Sequence, residues 1–201
     1  MNDSMTSLKK RMKSTAYARF FSARRYDRLN NYSLFSLSIS SFTLIFLTLF
    51  QKYSPTKIFL PDNLELMQLI ASITIAVLSI VVAFSSYAIK SEKMRISGEE
   101  INELISRIDF IADLPFDSTI ANKVKRVRIK YEILKSKSLN HKNFEFEYGK
   151  AERKREENAN EKTTISKCSI YNNFISFIPY SIISIISFVV FLYGLFGYMK
   201  I

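Results

Sequence analysis

Few side chains in this sequence have the types and spacing that chemistry requires. The chain of 201 residues contains one Cys, Cys168, and one His, His141. It therefore cannot form an internal disulfide, a CxxC site or a centre with several histidines. None of the four glycines falls in a glycine-rich phosphate loop. The composition argues against most classes of enzyme.

Two weak candidates remain. His141, Glu145 and Glu147 lie close enough in sequence to suggest a metal or acid–base cluster. One His and two carboxylates at loop-to-helix spacing are more typical of a polar loop that caps a helix, and we favour that interpretation. Cys168 precedes an apolar segment, where it could carry a palmitoyl group or be a small residue at a membrane edge. We predict no catalytic residue, no metal site and no cofactor.

Charge-free windows indicate the elements that organise the chain. Residues 29–51, 66–89 and 168–199 carry no Asp, Glu, Lys or Arg. A helix of about 20 apolar residues crosses a hydrocarbon core of about 30 Å. The buried helix of a soluble protein is the alternative, but three such windows in one short chain disfavour it. We predict an all-α integral membrane protein with two N-terminal transmembrane helices, 34–53 and 67–89, and a third at the C-terminus, 174–199.

Basic residues predict the orientation. Residues 1–33 hold eight Lys or Arg and two acids, and residues 90–173 hold eighteen and fourteen. Because basic segments stay in the cytoplasm, we expect a basic N-terminal helix (1–33) and a helical region (90–173) there. The loop 54–66 and the C-terminus then face outward. The predicted location is the bacterial inner membrane.

The N-terminal segment has the pattern of a basic amphipathic helix. Leu8, Met12, Ala16 and Phe20 recur every four residues among basic side chains. Such a helix could lie along an anionic leaflet or pack on the other cytoplasmic helices. A cytoplasmic flank already explains its charge, so we expect no specific nucleic-acid binding.

The region 90–173 predicts a helical hairpin that continues from the second span. An apolar stripe runs from Met94 to Ile111, and a second runs from Ile120 to Leu134 after a break and a candidate N-cap at Ser118. These seams need each other or a neighbouring chain. Residues 144–162 carry many charges of both signs and predict a solvated helix that leads back to the membrane.

One face of the second span has the most informative pattern in the chain. Small or polar residues recur there at helical spacing: Gln68, Ser72, Ala76, Ser79, Ala83 and Ser86. Small residues let membrane helices approach closely, which is the favoured interpretation. A weakly polar stripe can instead line a water-filled path in an oligomer. The first span has a shorter version of the stripe, at Ser33, Ser36, Ser40 and Thr43, which adds some weight to the pore interpretation.

The order of these parts resembles the SLATT family, the SMODS- and SLOG-associating two-transmembrane effector domains of bacteria. A basic, aromatic helix (residues 17–29) runs into the first span, followed by a short outward loop and a second span rich in small residues. A cytoplasmic helical segment containing Tyr131-Glu-Ile-Leu and Leu139-Asn-His follows. The resemblance implies a membrane effector, encoded beside nucleotide-signal synthetases, nucleotide sensors or reverse transcriptases. The third apolar segment departs from a two-span layout.

Taken with the predicted spans, the resemblance implies a membrane effector of an anti-phage, nucleotide-signalled conflict system. We expect it to contact the lipid bilayer, to form a homo-oligomer, and to open a pore or otherwise disrupt the membrane when a synthetase or reverse-transcriptase system triggers it. The trigger would shift the cytoplasmic helices and turn the Ser72–Ser86 face. The alternative is a non-conducting anchor or scaffold that recruits a cytoplasmic partner through residues 90–173. A membrane-bound hydrolase that uses His141 is the least favoured of the three hypotheses.

Overall fold

A computed structural model describes residues 2–53, 64–114, 118–140, 142–157, 165, 167–170, 174 and 177–199. Within these residues the chain is almost entirely helical and contains no strand. The principal helices are α1 (Asn2–Tyr53), α2 (Leu64–Ser85), α3 (Tyr87–Ala112), α4 (Ser118–Lys137), α5 (Asn143–Glu157) and α6 (Ile178–Met199). The predicted all-α fold is confirmed, and α4 begins at the predicted cap, Ser118.

Two described helical stretches are long and apolar enough to cross a membrane. They lie within Ser4–Tyr53 and Glu65–Ala112, and each contains one of the first two predicted spans. The apolar stretch Ile178–Tyr193 in α6 is shorter. The third crossing therefore stays a prediction.

The chain divides into two compact units. Residues 1–27 and 88–173 form the first, here called the bundle unit, and residues 28–87 and 174–201 form the second, the apolar unit. Helix α1 contributes to both, since its N-terminal half belongs to the bundle unit and its C-terminal half to the apolar unit.

The core of the bundle unit joins α1, α3 and α4. Met12, Ile101, Ile108 and Tyr131 are almost fully buried in one apolar cluster. The hydroxyl groups of Thr15 and Tyr131 lie 2.8 Å apart inside it. Of the two expectations for the basic N-terminal helix, packing on the other helices is therefore confirmed. The seams of α3 and α4 lie in this one cluster, so the first of the two predicted alternatives, that the seams cover each other, is confirmed.

Helix α5 packs on α1 and is not simply a solvated helix. Its outer face carries exposed ion pairs, such as Lys150 with Glu147, as its composition predicted. Its inner face buries Glu145 and Gly149, and Tyr148 stacks on Phe21 with ring centroids 3.9 Å apart. The expectation of a solvated helix therefore holds for the outer face only, because Gly149 lets the inner face approach α1 closely.

The apolar unit joins α1 and α6 through small hydroxyl side chains. Ser36 lies 2.9 Å from Ser184, and Ser40 lies 2.8 Å from Ser187, measured between hydroxyl oxygens. Phe46 and Phe191 add a ring contact with centroids 4.3 Å apart. Small side chains in these positions let two apolar helices approach closely.

One residue interrupts the path from α2 to α3. Ser86 has a φ of 50°, and no other non-glycine residue in the described ranges has a positive φ. The left-handed conformation is uncommon for a residue with a Cβ. The chain stays helical from the second span into the next region, as predicted, within the stretch Glu65–Ala112, and Ser86 divides that stretch into α2 and α3.

Candidate functional site: the small-residue face of α2

The predicted face of α2 is left uncovered by the described residues of its own chain. Ser72, Ala76, Ser79 and Ala83 are exposed, whereas Gln68 and Ser86, at its two ends, are half-buried.

A neighbouring face holds α2 in the apolar unit. Ala71, Ile75, Leu78 and Val82 are half-buried there. Successive residues are about 100° apart around a helix, so Leu78 and Ser79 belong to adjacent faces. The structure thus places the small residues together and beside the packed face, where a further helix has access to them.

The hydroxyl groups of this face already have partners. Ser72 donates to the carbonyl oxygen of Leu69 at 2.7 Å, and Ser79 donates to that of Ile75 at 2.8 Å. Serine hydroxyls bonded back to their own helix need neither water nor a second polar helix. The face is therefore chemically compatible with lipid, with another helix or with water.

The corresponding stripe of α1 has a packing role. Ser33, Ser36, Ser40 and Thr43 are all at most 5% exposed. Ser36 also donates to the carbonyl oxygen of Tyr180 on α6, at 2.9 Å. The inference that this stripe supports a water-filled path is wrong, because α6 occupies it.

An apolar cavity of about 410 Å³ lies inside the apolar unit, among α1, α2 and α6. Leu47, Ile75, Ile186 and Gln68 are among its lining residues. The buried side-chain nitrogen of Gln68 has no hydrogen-bond partner among the described residues. Gln68 thus differs from the serines of the same face, whose hydroxyl groups are satisfied.

Of the suspected cluster of His141, Glu145 and Glu147, the structure describes the two carboxylates. His141 lies outside the described residues. Glu145 lies 2.8 Å from Arg25, and Glu147 lies 2.9 Å from Lys150, so each carboxylate belongs to a separate ion pair. The described residues contain no group of three or more His, Cys, Asp or Glu side chains that could hold a metal ion.

Cys168 is half-buried and lies in a poor environment for reactivity. Burial raises the pKa of its thiol, and the negative charge of Glu147 adds to that shift. A thiol with a raised pKa carries little of the nucleophilic thiolate at neutral pH.

Two buried arginines, which the sequence analysis missed, join helices of the bundle unit. Arg19 and Arg25 are only 1% and 3% exposed. Arg19 donates to the carbonyl oxygen of Leu139, and Arg25 lies over the ring of Tyr26 at 4.6 Å besides pairing with Glu145.

Burial also shifts the pKa of Arg19. It lowers the pKa of the guanidinium group, and the nearby Tyr131 and Glu145 oppose that shift. The spacing gave one hint of its position, because Arg19 extends the stripe of Met12 and Ala16 by three residues.

The comparisons with known proteins agree with this architecture. The family model for the SMODS and SLOG-associating 2TM effector domain family 5 matches residues 1–194. No curated protein and no solved structure matches the chain. The family model covers nearly the whole length of the chain, and two of its helices are able to span a bilayer. The chain therefore belongs to the SMODS and SLOG-associating 2TM effector domain family 5, and it is an effector domain of conflict systems associated with the inner membrane.

Proposed function

We propose that this protein assembles from several copies and makes the inner membrane permeable when an anti-phage, nucleotide-signalled conflict system triggers it. The observation that carries the proposal is the uncovered small-residue face of α2 (Ser72, Ala76, Ser79 and Ala83). The family's association with SMODS and SLOG supports an upstream partner of the conflict system. A nucleotide-signal synthetase or a reverse-transcriptase system would fill that role.

The contact between α1 and α6 supports assembly through α2. There, a stripe of small hydroxyl residues is buried by a second apolar helix that brings serines of its own. The α2 face has a similar spacing of small residues, with Ala at alternate positions, and no helix of the described residues covers it. Close packing between small faces drives the association of membrane helices. A second copy of α2 is a chemically matched occupant.

A signal received at α3 can reach the small-residue face of α2 through the backbone that joins the two helices. Helix α3 begins at Tyr87, immediately after Ser86. A ligand or partner that displaced α3 would change the backbone at Ser86, where the left-handed conformation is already costly. In this mechanism the displacement turns α2, and its small face exchanges helix contacts for water.

We further propose a cytoplasmic N-terminus and an extracytoplasmic C-terminus. Support comes from the basic excess in residues 1–33 and 90–173 and from the 22-residue apolar helix α6. A C-terminal phosphatase fusion should be active outside the cytoplasm. A C-terminal fluorescent fusion that reports a cytoplasmic tail would contradict the third crossing.

Permeability of two Ser79 variants tests the function. Ser79→Leu should abolish dye and ion flux from liposomes, because a bulky apolar side chain dewets a path. Ser79→Asp should still assemble and should shift the flux toward cations. A face used only for packing would instead fail to assemble in both variants, since a carboxylate at the bilayer centre costs at least about 2.5 kcal/mol.

The control is Ile80→Asp, about 100° around the helix from Ser79. It should fail to insert or to assemble in either case. If Ser79→Asp assembles but changes neither the flux nor its ion preference, the face does not line a pore.

The second candidate function is a non-conducting scaffold that recruits a partner through residues 90–173. The basic surface of α4 favours it, because several cations there have no ion-pair partner in the described part of the chain. An assembled protein that gives no flux under any trigger, yet binds a partner through α4, would support the scaffold.

A further inference from the structure

Positive charge in the bundle unit is concentrated on one helix. Helix α4 carries seven Lys or Arg residues and a single acid, Glu132. Acids on the neighbouring helices are mostly neutralised locally: Glu103 pairs with Arg107, and Glu92 and Glu99 both pair with Arg95.

Most cations of α4 have no such partner. No described carboxylate lies within ion-pair distance of six of them: Lys123, Lys125, Arg126, Arg128, Lys130 and Lys137. Glu132 is shared between Arg11, at 3.5 Å, and Lys135, at 3.7 Å. The described part of the unit therefore presents a strongly basic surface that the described acids do not balance.

Apolar side chains stand among these cations. Ile129 and Ile133 are 50% and 44% exposed, and they are four residues apart on α4. The core of the unit takes Val127 and Tyr131 from the same helix. A step of two residues turns a helix by about 200°, so Ile129 points away from that core.

A groove between α3 and α4 extends this surface. It has a volume of about 550 Å³, and Arg107, Phe110, Lys123, Arg126 and Lys130 are among its lining residues. Phe110 is 68% exposed at its edge. The groove thus combines an uncovered aromatic ring with three cations that lack a described ion-pair partner, Lys123, Arg126 and Lys130, while its Arg107 pairs with Glu103.

This combination favours a protein segment over other anions. A bound phosphate requires a few fixed polar groups, but the cations here are long side chains on an open surface. Nucleic-acid backbones are bound through their charge, and exposed isoleucines contribute nothing to such binding. An amphipathic helix uses both features, since its apolar side chains recur every three or four residues and its flanks carry charge.

We propose that the outer face of α4 is a docking surface for an acidic amphipathic helix of a partner protein. Ile129, Ile133 and Phe110 receive the apolar side chains of that helix. Lys123, Arg126 and Lys130 lie beside its carboxylates, where charge complementarity also speeds and orients the encounter. The surface is independent of ion conduction, so it would serve either a pore or a scaffold.

The test uses the full-length protein in nanodiscs and a synthetic probe. The probe is a fluorescent peptide of about 20 residues with Leu at helical spacing and Glu on both flanks. A scrambled peptide of the same composition controls for charge alone. Fluorescence anisotropy at low and moderate salt gives both affinities, and we expect the amphipathic peptide to bind at least about tenfold more tightly than the scrambled one.

Matched variants separate docking from general charge attraction. Ile129→Ser and Arg126→Glu should each weaken binding of the amphipathic peptide by about five- to tenfold. Ile96→Ser makes the same substitution, and Lys93→Glu makes the same reversal of charge, at exposed positions of α3. They should leave the affinity within about twofold of the original protein.

Several results would overturn the proposal. These are absence of binding at low salt, equal binding of the scrambled peptide, or no effect of Ile129→Ser. Competition by inorganic polyphosphate or a single-stranded oligonucleotide that matches the peptide's own affinity would instead identify a general polyanion surface. Circular dichroism and thermal melting of each variant confirm that a loss of binding is not a loss of fold.

Discussion

The contact of α5 with α1 depends on the absence of one side chain, at Gly149. A Cβ placed there would lie 2.2 Å from the carbonyl oxygen of Ser14 and 2.8 Å from the backbone nitrogen of Ala18. Both atoms belong to the backbone of α1, so Gly149→Ala must push the two helices apart by about 1 Å to restore ordinary contact.

The magnitude follows from two opposing effects. Overpacking of this kind costs about 1–3 kcal/mol, and more when backbone must move. Ala is better than Gly in a helix by about 1 kcal/mol, which offsets part of the cost. We expect a net loss of about 2 kcal/mol in the free energy of unfolding, or a fall in melting temperature of roughly 4–8 °C.

Thermal unfolding of the full chain in a mild detergent, followed by circular dichroism, measures this loss. Gly98→Ala is the matched control, because a Cβ there meets the ring of Phe20 at 3.0 Å, and a ring edge can tilt. The control should melt within about 3 °C of the original protein, since the gain in helix propensity offsets a minor contact. A Gly149→Ala protein that melts as high as the original would refute the close packing of α5 on α1.

Two further predictions concern charged contacts of the same unit. Arg25 and Glu145 form an ion pair whose side chains are 4% and 1% exposed. Arg25→Met or Glu145→Gln alone should destabilise the fold by about 3–5 kcal/mol, because each leaves the other partner buried without its counterpart. The double variant Arg25→Met/Glu145→Leu should destabilise it by less. Denaturant titration measures the free energy of unfolding of each variant. A double variant that is less stable than both single variants would contradict the prediction. Hydrogen bonds from Tyr17 and Lys13 hold the pKa of Glu156 below its usual 4.5. The charged carboxylate therefore stabilises the fold above pH 4.5, and this stabilisation is lost as the pH falls through the lower pKa of the folded state. Glu156→Gln should flatten the acid side of the pH–stability profile, and an unchanged profile would show that the contact contributes nothing.

The helical layout was predictable because its cause is local. Charge-free windows of 23 and 24 residues identify the first two apolar helices, and apolar spacing identifies α3 and α4. The Asp113–Asp117 interruption and Ser118 were sufficient to predict where α4 begins.

The pairing of helices was not predictable from the same patterns. The stripes of α1 and α2 have equal spacing, yet α6 covers Ser36 and Ser40, while the described residues leave Ser79 uncovered. Spacing identifies a face but does not identify its neighbour.

The burial of the Arg25–Glu145 ion pair was also not predicted from the sequence. Arg25 and Glu145 are 120 residues apart in sequence, and each stands in a segment dense in exposed charges. Both side chains lie where α1 meets α5, two helices that approach closely at Gly149. The left-handed Ser86 was equally unpredictable, because Gly or Asn usually marks such a position.

Cross-linking of α2 between copies tests the central claim most directly. Cys168→Ser removes the one native thiol, and Ser79→Cys then places a single thiol on the small-residue face. Mild oxidation of native inner membranes should produce a disulfide-linked dimer from Ser79→Cys, whereas Ile80→Cys, about 100° around the helix, should stay monomeric. If Ile80→Cys cross-links as well as Ser79→Cys does, or if a correctly inserted Ser79→Cys protein gives no dimer, the copies do not assemble through this face of α2.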